Sequence, residues 1–280
     1  MDADVAGQYV AEALAAADRA DLGAGVITRE AAEHEIEAVL ARFESTWGEG
    51  RGPDHSMIRA LAHAGATVLV AVADDEGGVD ASATPPYAIP GELLGATLGF
   101  LGWNEGLHLH SHMNAVAPAA RGHGIGLALK LRQRAICLEH GVVEVRWTFD
   151  PLIRRNARMN LVRLGAEVAA YLPEFYGVLG DEISGADRSD RFEVRWRLTS
   201  SRVLRALAGG APPRWSGESG FALVPDFEAV RRDAAADAAR MRAASVRAFT
   251  EMARQGLRPE LDDAGDYVFT EAEPDAEEAR

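Results

Sequence analysis

Between Leu107 and Phe149 the hydrophobic period of the chain changes from two to 3.6 and back to two, and a glycine-rich stretch marks the first change. Leu107 to Val116 alternates as a half-buried strand does. From about Gly124 to His140 the residues Ile125, Ala128, Leu129, Ile136 and Leu138 form an apolar helical stripe, which Gly141 ends. Val142 to Phe149 then alternates again, with Val143, Val145, Trp147 and Phe149 on one expected face. A strand, a tight loop, a helix and a second strand in this order call for a sheet with helices packed on it.

The flanking sequence extends this pattern. Tyr9, Leu14 and Ala17 keep helical spacing, and a second helix is expected over Thr28 to Phe43 with Thr28 as its N-cap. A short helix around Met57, Ile58 and Leu61 precedes a strand over Thr67 to Val72. Residues 74–91, with Gly77-Gly78 and Pro85-Pro86, read as a mobile loop, followed by a strand over Leu93 to Trp103. After Phe149 come a helix over Asn156 to Leu164 and strands at Glu167 to Tyr171 and Arg191 to Thr199. One long amphipathic helix is expected from Pro225-Asp226, through Phe227, Val230, Ala234, Met241, Phe249 and Met252, then a strand at Tyr267 to Phe269. The Glu-rich end from Glu271 reads as a disordered acidic tail. These elements divide as a helical flank over 1–27, a core domain over 28–200, a helix-strand extension over 201–270 that covers a site or forms a homodimer contact, and the tail over 271–280.

Composition narrows the partners. The 280 residues hold 29 Lys and Arg against 43 Asp and Glu, a net charge of −14. That sign argues against nucleic acid and anionic membranes as partners, though a local basic patch can still take a small anion. One cysteine, Cys137, allows no internal disulfide and no zinc cluster, so a reducing, cytoplasmic location is expected and Cys137 is a core thiol. No apolar run reaches the roughly 18 residues that span a bilayer, and the acidic start Met1-Asp2-Ala3-Asp4 is unlike a secretory leader.

The chemistry concentrates in Val116-Ala117-Pro118-Ala119-Ala120-Arg121-Gly122-His123-Gly124-Ile125-Gly126. Glycines let backbone N–H groups approach an anion, and the following helix directs its free donors and positive dipole end to the same point. Arg121 adds a fork of donors for phosphate oxygens. A turn of this kind also occurs for packing alone. It is neither an ATP-binding P-loop, because no Gly-Lys-Ser/Thr follows, nor the dinucleotide fingerprint, because the third glycine comes one position early.

The spacing Arg-x-x-Gly-x-Gly after a strand resembles the acyl-CoA loop of the GNAT superfamily of N-acetyltransferases. The resemblance runs from about Thr28 to Thr199 and includes an Asn-Ala segment followed by Leu-Gly, here Asn156, Ala157, Leu164 and Gly165. Segments at His110 to Met113, Thr148 to Pro151 and Arg163 to Ala166 are similar to a less characterised branch. The resemblance implies a mixed α/β (α+β) fold with a mostly antiparallel central sheet flanked by helices, and a C-terminal helix-strand extension. It also implies acetyl-CoA or another acyl-CoA, such as succinyl-CoA, as co-substrate, with transfer of the acyl group to a small-molecule amine or amino-acid acceptor by direct attack. By the same resemblance, the backbone of Asn114 and Val116 would pair with the pantetheine arm. Arg121, Gly122, His123, Gly124, Ile125 and Gly126 would hold the pyrophosphate, and Asn156 would reach the pantetheine.

Direct transfer requires an acceptor for the ammonium proton and a donor for the carbonyl oxygen. His110 and His112 lie two apart on a strand, hence on one face, and an unperturbed imidazole titrates near ~6.5. Their offset from the loop resembles the paired histidines of aralkylamine acetyltransferases; structural histidines bonded across a sheet are the alternative. His108 continues the alternation, but strand spacing does not supply tetrahedral geometry and no metal is expected. The tyrosine acid usual in the superfamily is Leu161 here, leaving Tyr171 and Tyr176 as candidates to protonate the thiolate. The missing tyrosine supports a rival reading, a noncatalytic acyl-CoA-binding regulatory module.

Overall fold

The structure, a computed structural model, describes residues 3–74, 92–180, 185 and 187–271. The expected loop beyond Asp74 and the expected acidic tail beyond Glu271 lie outside the described residues. The chain divides into two compact units, Met1–Val145 and Arg146–Arg280.

In the first unit, α1 (Ala3–Ala24) leads into β1 (Val26–Glu30), α2 (Ile36–Trp47), α3 (His55–His63), β2 (Thr67–Ala73), β3 (Gly95–Gly102), β4 (His108–Val116) and α4 (Ile125–Glu139). Its strands pair antiparallel in chain order. The unbroken apolar run of β2 follows from its position, because both faces are covered. Val68 and Val70 join Ile36, Val39, Phe43 and Ile58 on the α2 and α3 side, and Leu69 and Ala71 join Ala24, Ile125, Ala128 and Leu129 on the α1 and α4 side. Asp54 starts α3 by accepting from the N–H groups of Ser56 and Met57.

Thr28 is not a helix cap. It lies in β1 opposite Ala71, and its hydroxyl and N–H both donate to the buried Asp21 carboxylate, at 2.7 and 3.0 Å. Arg132 of α4 donates to the same carboxylate at 2.8 Å. The charge of Asp21 is therefore met both from the strand that follows its helix and from the distant α4, and that network holds Val26 to Glu30 extended while the helix starts only at Ile36.

β5 (Glu144–Phe149) carries the chain into the second unit. There α5 (Arg154–Ala157) widens into a π-helical turn over Arg158–Arg163, and β6 (Glu167–Leu172), β7 (Arg191–Arg197), α6 (Ser201–Leu207), β8 (Ser219–Phe221), α7 (Phe227–Asp233), α8 (Ala235–Arg254), β9 (Arg258–Leu261) and β10 (Tyr267–Thr270) follow. β7 lies between β5 and β6, and β8, β10 and β9 form a separate three-stranded sheet. The architecture is the expected mixed α/β one, a mostly antiparallel sheet flanked by helices.

Two features of this unit differ from expectation. The long C-terminal helix is broken at Ala234, whose φ and ψ are −145° and 62°. In one straight helix Arg231 and Arg242 would lie about 16 Å apart along the axis. With the break both reach the same two carboxylates, Arg242 at 2.7 Å from Asp150 and 2.8 Å from Asp187, and Arg231 at 3.4 Å from Asp187. The second feature is a buried arginine that sequence patterning did not distinguish. Arg202 donates to the carbonyls of Leu161, Gly165 and Ala166, which close the π-helical turn, and forms a two-pronged pair with Glu260 at 2.6 and 2.9 Å. Burial pushes the Glu260 carboxyl up against the opposing effect of that guanidinium.

Candidate functional site

Between Val116 and Ile125 the chain makes a 3₁₀ turn over Pro118–Ala120 and enters α4 through Gly122 and Gly124, at φ of 85° and 90°. Residues with a side chain rarely adopt that left-handed conformation. At Gly124 it is this conformation and not crowding that calls for glycine, since a Cβ there would make only an ordinary contact, 3.7 Å from the Ala24 side chain at the end of α1. The carbonyl of Gly124 accepts from Leu127 and Ala128, so the earlier donors of Ile125 and Gly126 point out of the helix end by its geometry. Gly126 keeps that end open, its nearest neighbour to an added Cβ being Val116 Cγ2 at 3.7 Å. Arg121 and His123 stand exposed on the loop, Arg121 Nε donating to the Val116 carbonyl at 3.3 Å.

The strand feeding this loop is irregular at one point, and the irregularity sorts the predicted residues onto two faces. Leu98 of β3 pairs with Met113 and the next residue, Gly99, pairs with Ser111, so His112 is the extra residue of a β-bulge. Before the bulge, His108 and His110 share the face of Phe100, and Ser111 faces α4, bonded to Lys130. After it the phase is reversed. Met113 packs in the cluster of α2 and α3, and Asn114 turns to the α4 side, where its Nδ2 donates to the Gly126 carbonyl at 3.2 Å. Strict alternation would have put His110, His112 and Asn114 on one face. The structure keeps the two histidines together, with ring centroids 6.0 Å apart and Phe100 within 5.4 and 6.0 Å of them, and assigns Asn114 to the loop. Asn114 Oδ1 is buried without a hydrogen-bond partner among the described residues, an acceptor beside the loop suited to an amide N–H.

The imidazoles are not ordinary ones. Loss of water pushes His110 down to about 4, with further lowering from the nearby His112, His108 and Lys130, and desolvation lowers His112 as well. His108 is buried with Nδ1 2.8 Å from the Gly106 carbonyl. Because His110 binds its proton more weakly folded than unfolded, stability from this group is complete above about 6.5 and is lost as pH falls toward 4. Urea unfolding at intervals across that window should therefore show decreasing stability, and His110→Gln should flatten the decrease.

Lys130 and Ser111 were not singled out by sequence. Lys130 lies in the middle of α4, where its neighbours read as an apolar stripe, and it is buried with Nζ 2.7 Å from Ser111 Oγ. Burial lowers it to about 7. Cys137 is buried on the same helix and burial pushes its thiol up to about 12, which removes it as a nucleophile near neutrality. Among the described residues no group of three or more His, Cys, Asp or Glu side chains is placed to hold a metal ion. None of their helices is long and apolar enough to cross a membrane.

Asn156 and Tyr176 belong to the second unit. Asn156 is half-buried in α5. The Tyr176 hydroxyl lies 3.2 Å from Thr148 Oγ1, its ring meets Phe175 edge-on, and the Arg191 guanidinium stands 5.7 Å from the ring centre. Leu161, at the position of the absent tyrosine, is buried at 5% exposure and offers no acid.

Neither a protein-family model nor a curated protein matches the chain. Solved structures do. Naa50 from Arabidopsis thaliana, in complex with the bisubstrate analogue CoA-Ac-MVNAL, is 16% identical over 61% of this chain and 97% of that one, with a TM-score of 0.45. The ribosomal-protein-S18-alanine N-acetyltransferase from Escherichia coli is 10% identical over 63% and 96%, with a TM-score of 0.46. A GNAT-family protein from Desulfovibrio desulfuricans is 17% identical over 62% and 99%, with a TM-score of 0.45. At these identities the likeness extends no further than the fold.

Proposed function

We propose that the chain is an acyl-CoA-dependent N-acyltransferase that moves an acetyl or related group to an amine by direct attack. The observation that carries this reading is the glycine-built end of α4 placed directly after the strand that bears His110 and His112. An open helix N-terminus with left-handed glycines at 122 and 124 and no side chain at 126 suits a pyrophosphate, and Asn114 Oδ1 beside it suits an amide of the pantetheine arm. When bound, acyl-CoA supplies the thioester. The acceptor nitrogen bonds to the thioester carbon, the C–S bond breaks, and the thiolate leaves. Asn156 and Tyr176 are retained as the residues proposed to contact the pantetheine and to protonate the thiolate.

Proton removal is assigned to His112. His110 is held down by three positive or protonatable neighbours in addition to burial, whereas desolvation alone lowers His112, the more exposed of the two rings. With the rings 6.0 Å apart, a proton on His112 also keeps His110 neutral. His112→Ala is expected to lower kcat roughly 100-fold, within the range for a lost general base, and His110→Ala to lower it less. In both variants KM for acetyl-CoA should stay near its starting value. Equal losses in the two would remove the assignment.

The first test is a thermal-shift titration with acetyl-CoA, succinyl-CoA and CoA, against ATP and NAD, followed by an amine screen with the better donor. Saturation at about 100 times the dissociation constant stabilises by roughly 2.7 kcal/mol. Equal shifts from ATP and NAD would show the loop to be packing only. A specific acyl-CoA shift with no turnover on any amine would favour the regulatory module, a reading supported by the buried Leu161.

A further inference from the structure

Helix α4 turns polar toward the sheet at the bulge. Lys130 donates to Ser111. One turn further on, Gln133 donates to Thr67 Oγ1 at 2.8 Å, and Thr67 donates to the Gly99 carbonyl at 3.3 Å. Gly99 and Ser111 are the register pair at the edge of the bulge. Gly99 lets these side chains close in, because an added Cβ would stand 2.7 Å from Gln133 Nε2 and 2.8 Å from Thr67 Oγ1 and would push them aside.

Packing does not account for the lysine. Every other basic residue among the 29 Lys and Arg is arginine, so the chain's single lysine is the one buried in this interface. Taking an ammonium out of water costs several kcal/mol, and a methionine of similar volume fills such a space without that cost. What a methionine lacks is the donor. Ser111 and Met113 face opposite sides although they are two apart, and the strand tolerates that only while its extra residue stays at 112. A bulge displaced by one position would turn each residue it passes to the other face.

We propose that Lys130 is a positioning residue: by holding Ser111 from α4 it fixes the bulge at His112, so that His110 and His112 stand side by side on one face. The effect on turnover rests on the acyltransferase reading above; the effect on the two rings does not.

The test compares Lys130→Met and Ser111→Ala with the unaltered 280-residue chain. Histidine-labelled protein gives ring-to-ring NOEs between His110 and His112, thermal unfolding gives stability, and steady-state kinetics with acetyl-CoA give kcat and KM separately. In both variants the NOEs should weaken or vanish and kcat should fall at least about tenfold, because small displacements of catalytic groups are costly. KM for acetyl-CoA should change less than about threefold, because Ala115 and Val116 stay in register with Ala96 and Gly95. The double variant should be no worse than the single ones, as expected when one interaction is removed twice. Unchanged NOEs, or losses that follow the fall in Tm alone, would overturn the proposal. If Lys130→Met does not fold, Ser111→Ala, which removes one hydroxyl, decides. If the unaltered chain acylates no amine, the functional reading fails and the NOE comparison alone judges Lys130.

Discussion

Gly126→Asp is expected to eliminate acyl-CoA binding and to leave the fold as stable as before, or slightly more so. The position is the second of α4, where a carboxylate faces the positive end of the helix dipole and gains about 0.3 to 1 kcal/mol. Space is available, because the nearest atom to a new Cβ is 3.7 Å away. The same carboxylate occupies the point at which a pyrophosphate would meet the N–H groups of Ile125 and Gly126. A phosphate charge about 4 Å from it is repelled by about 4 kcal/mol at an effective dielectric of 20, roughly a thousandfold in affinity. The measurement is a pair of melting curves for each protein, with and without acetyl-CoA. Tm without ligand should hold or rise and the ligand-induced shift should disappear, while Gly126→Ala retains most of it. A normal shift in Gly126→Asp would place acyl-CoA elsewhere on the molecule.

The largest stability effect is expected at Arg202. Arg202→Met leaves the buried Glu260 carboxyl without its cation and the carbonyls of Leu161, Gly165 and Ala166 without their shared donor. Breaking one side of a buried pair costs about 3 to 5 kcal/mol. At about 2 to 4 °C per kcal/mol for a chain of this size class, Tm should drop by roughly 10 °C. The double variant Arg202→Met with Glu260→Met should recover part of that loss, because the stranded carboxyl is gone but the three carbonyls still lack a donor. Full recovery would show that the arginine neutralises Glu260 and does little to end the π-helical turn. No recovery would show the opposite.

The residues that anchor the candidate site were largely visible before folding. Gly122 and Gly124 do adopt the left-handed conformation that a tight strand-to-helix turn requires, and α4 begins at Ile125 as its apolar stripe indicates. The hairpin strands and the strand over Thr67 to Ala73 likewise matched their β-branched and alternating runs. Thr28 did not match, because a threonine before a charged segment is locally a good cap, and only the Asp21 carboxylate from α1 and the pairing with Ala71 make it a strand residue. The break at Ala234 has no glycine or proline to announce it. It follows from where Asp150 and Asp187 stand, far away in sequence.

Lys130 was illegible for a related reason. A lysine among leucines and alanines on a helix is locally a solvated side chain that interrupts a stripe, and nothing within a few residues of it shows that both faces of α4 are covered. The bulge at His112 was equally hidden, since the alternation of His108 to Val116 continues through it without interruption. By itself, then, the sequence determined the order of elements from Thr67 to Phe149, the loop conformation and the presence of two neighbouring imidazoles, because period and glycine placement act within a few residues. Tertiary structure decided which face each of those groups occupies and how strongly each holds its proton. Strand register and desolvation are set by partners distant in the chain, here Gly99, Lys130 and Phe100.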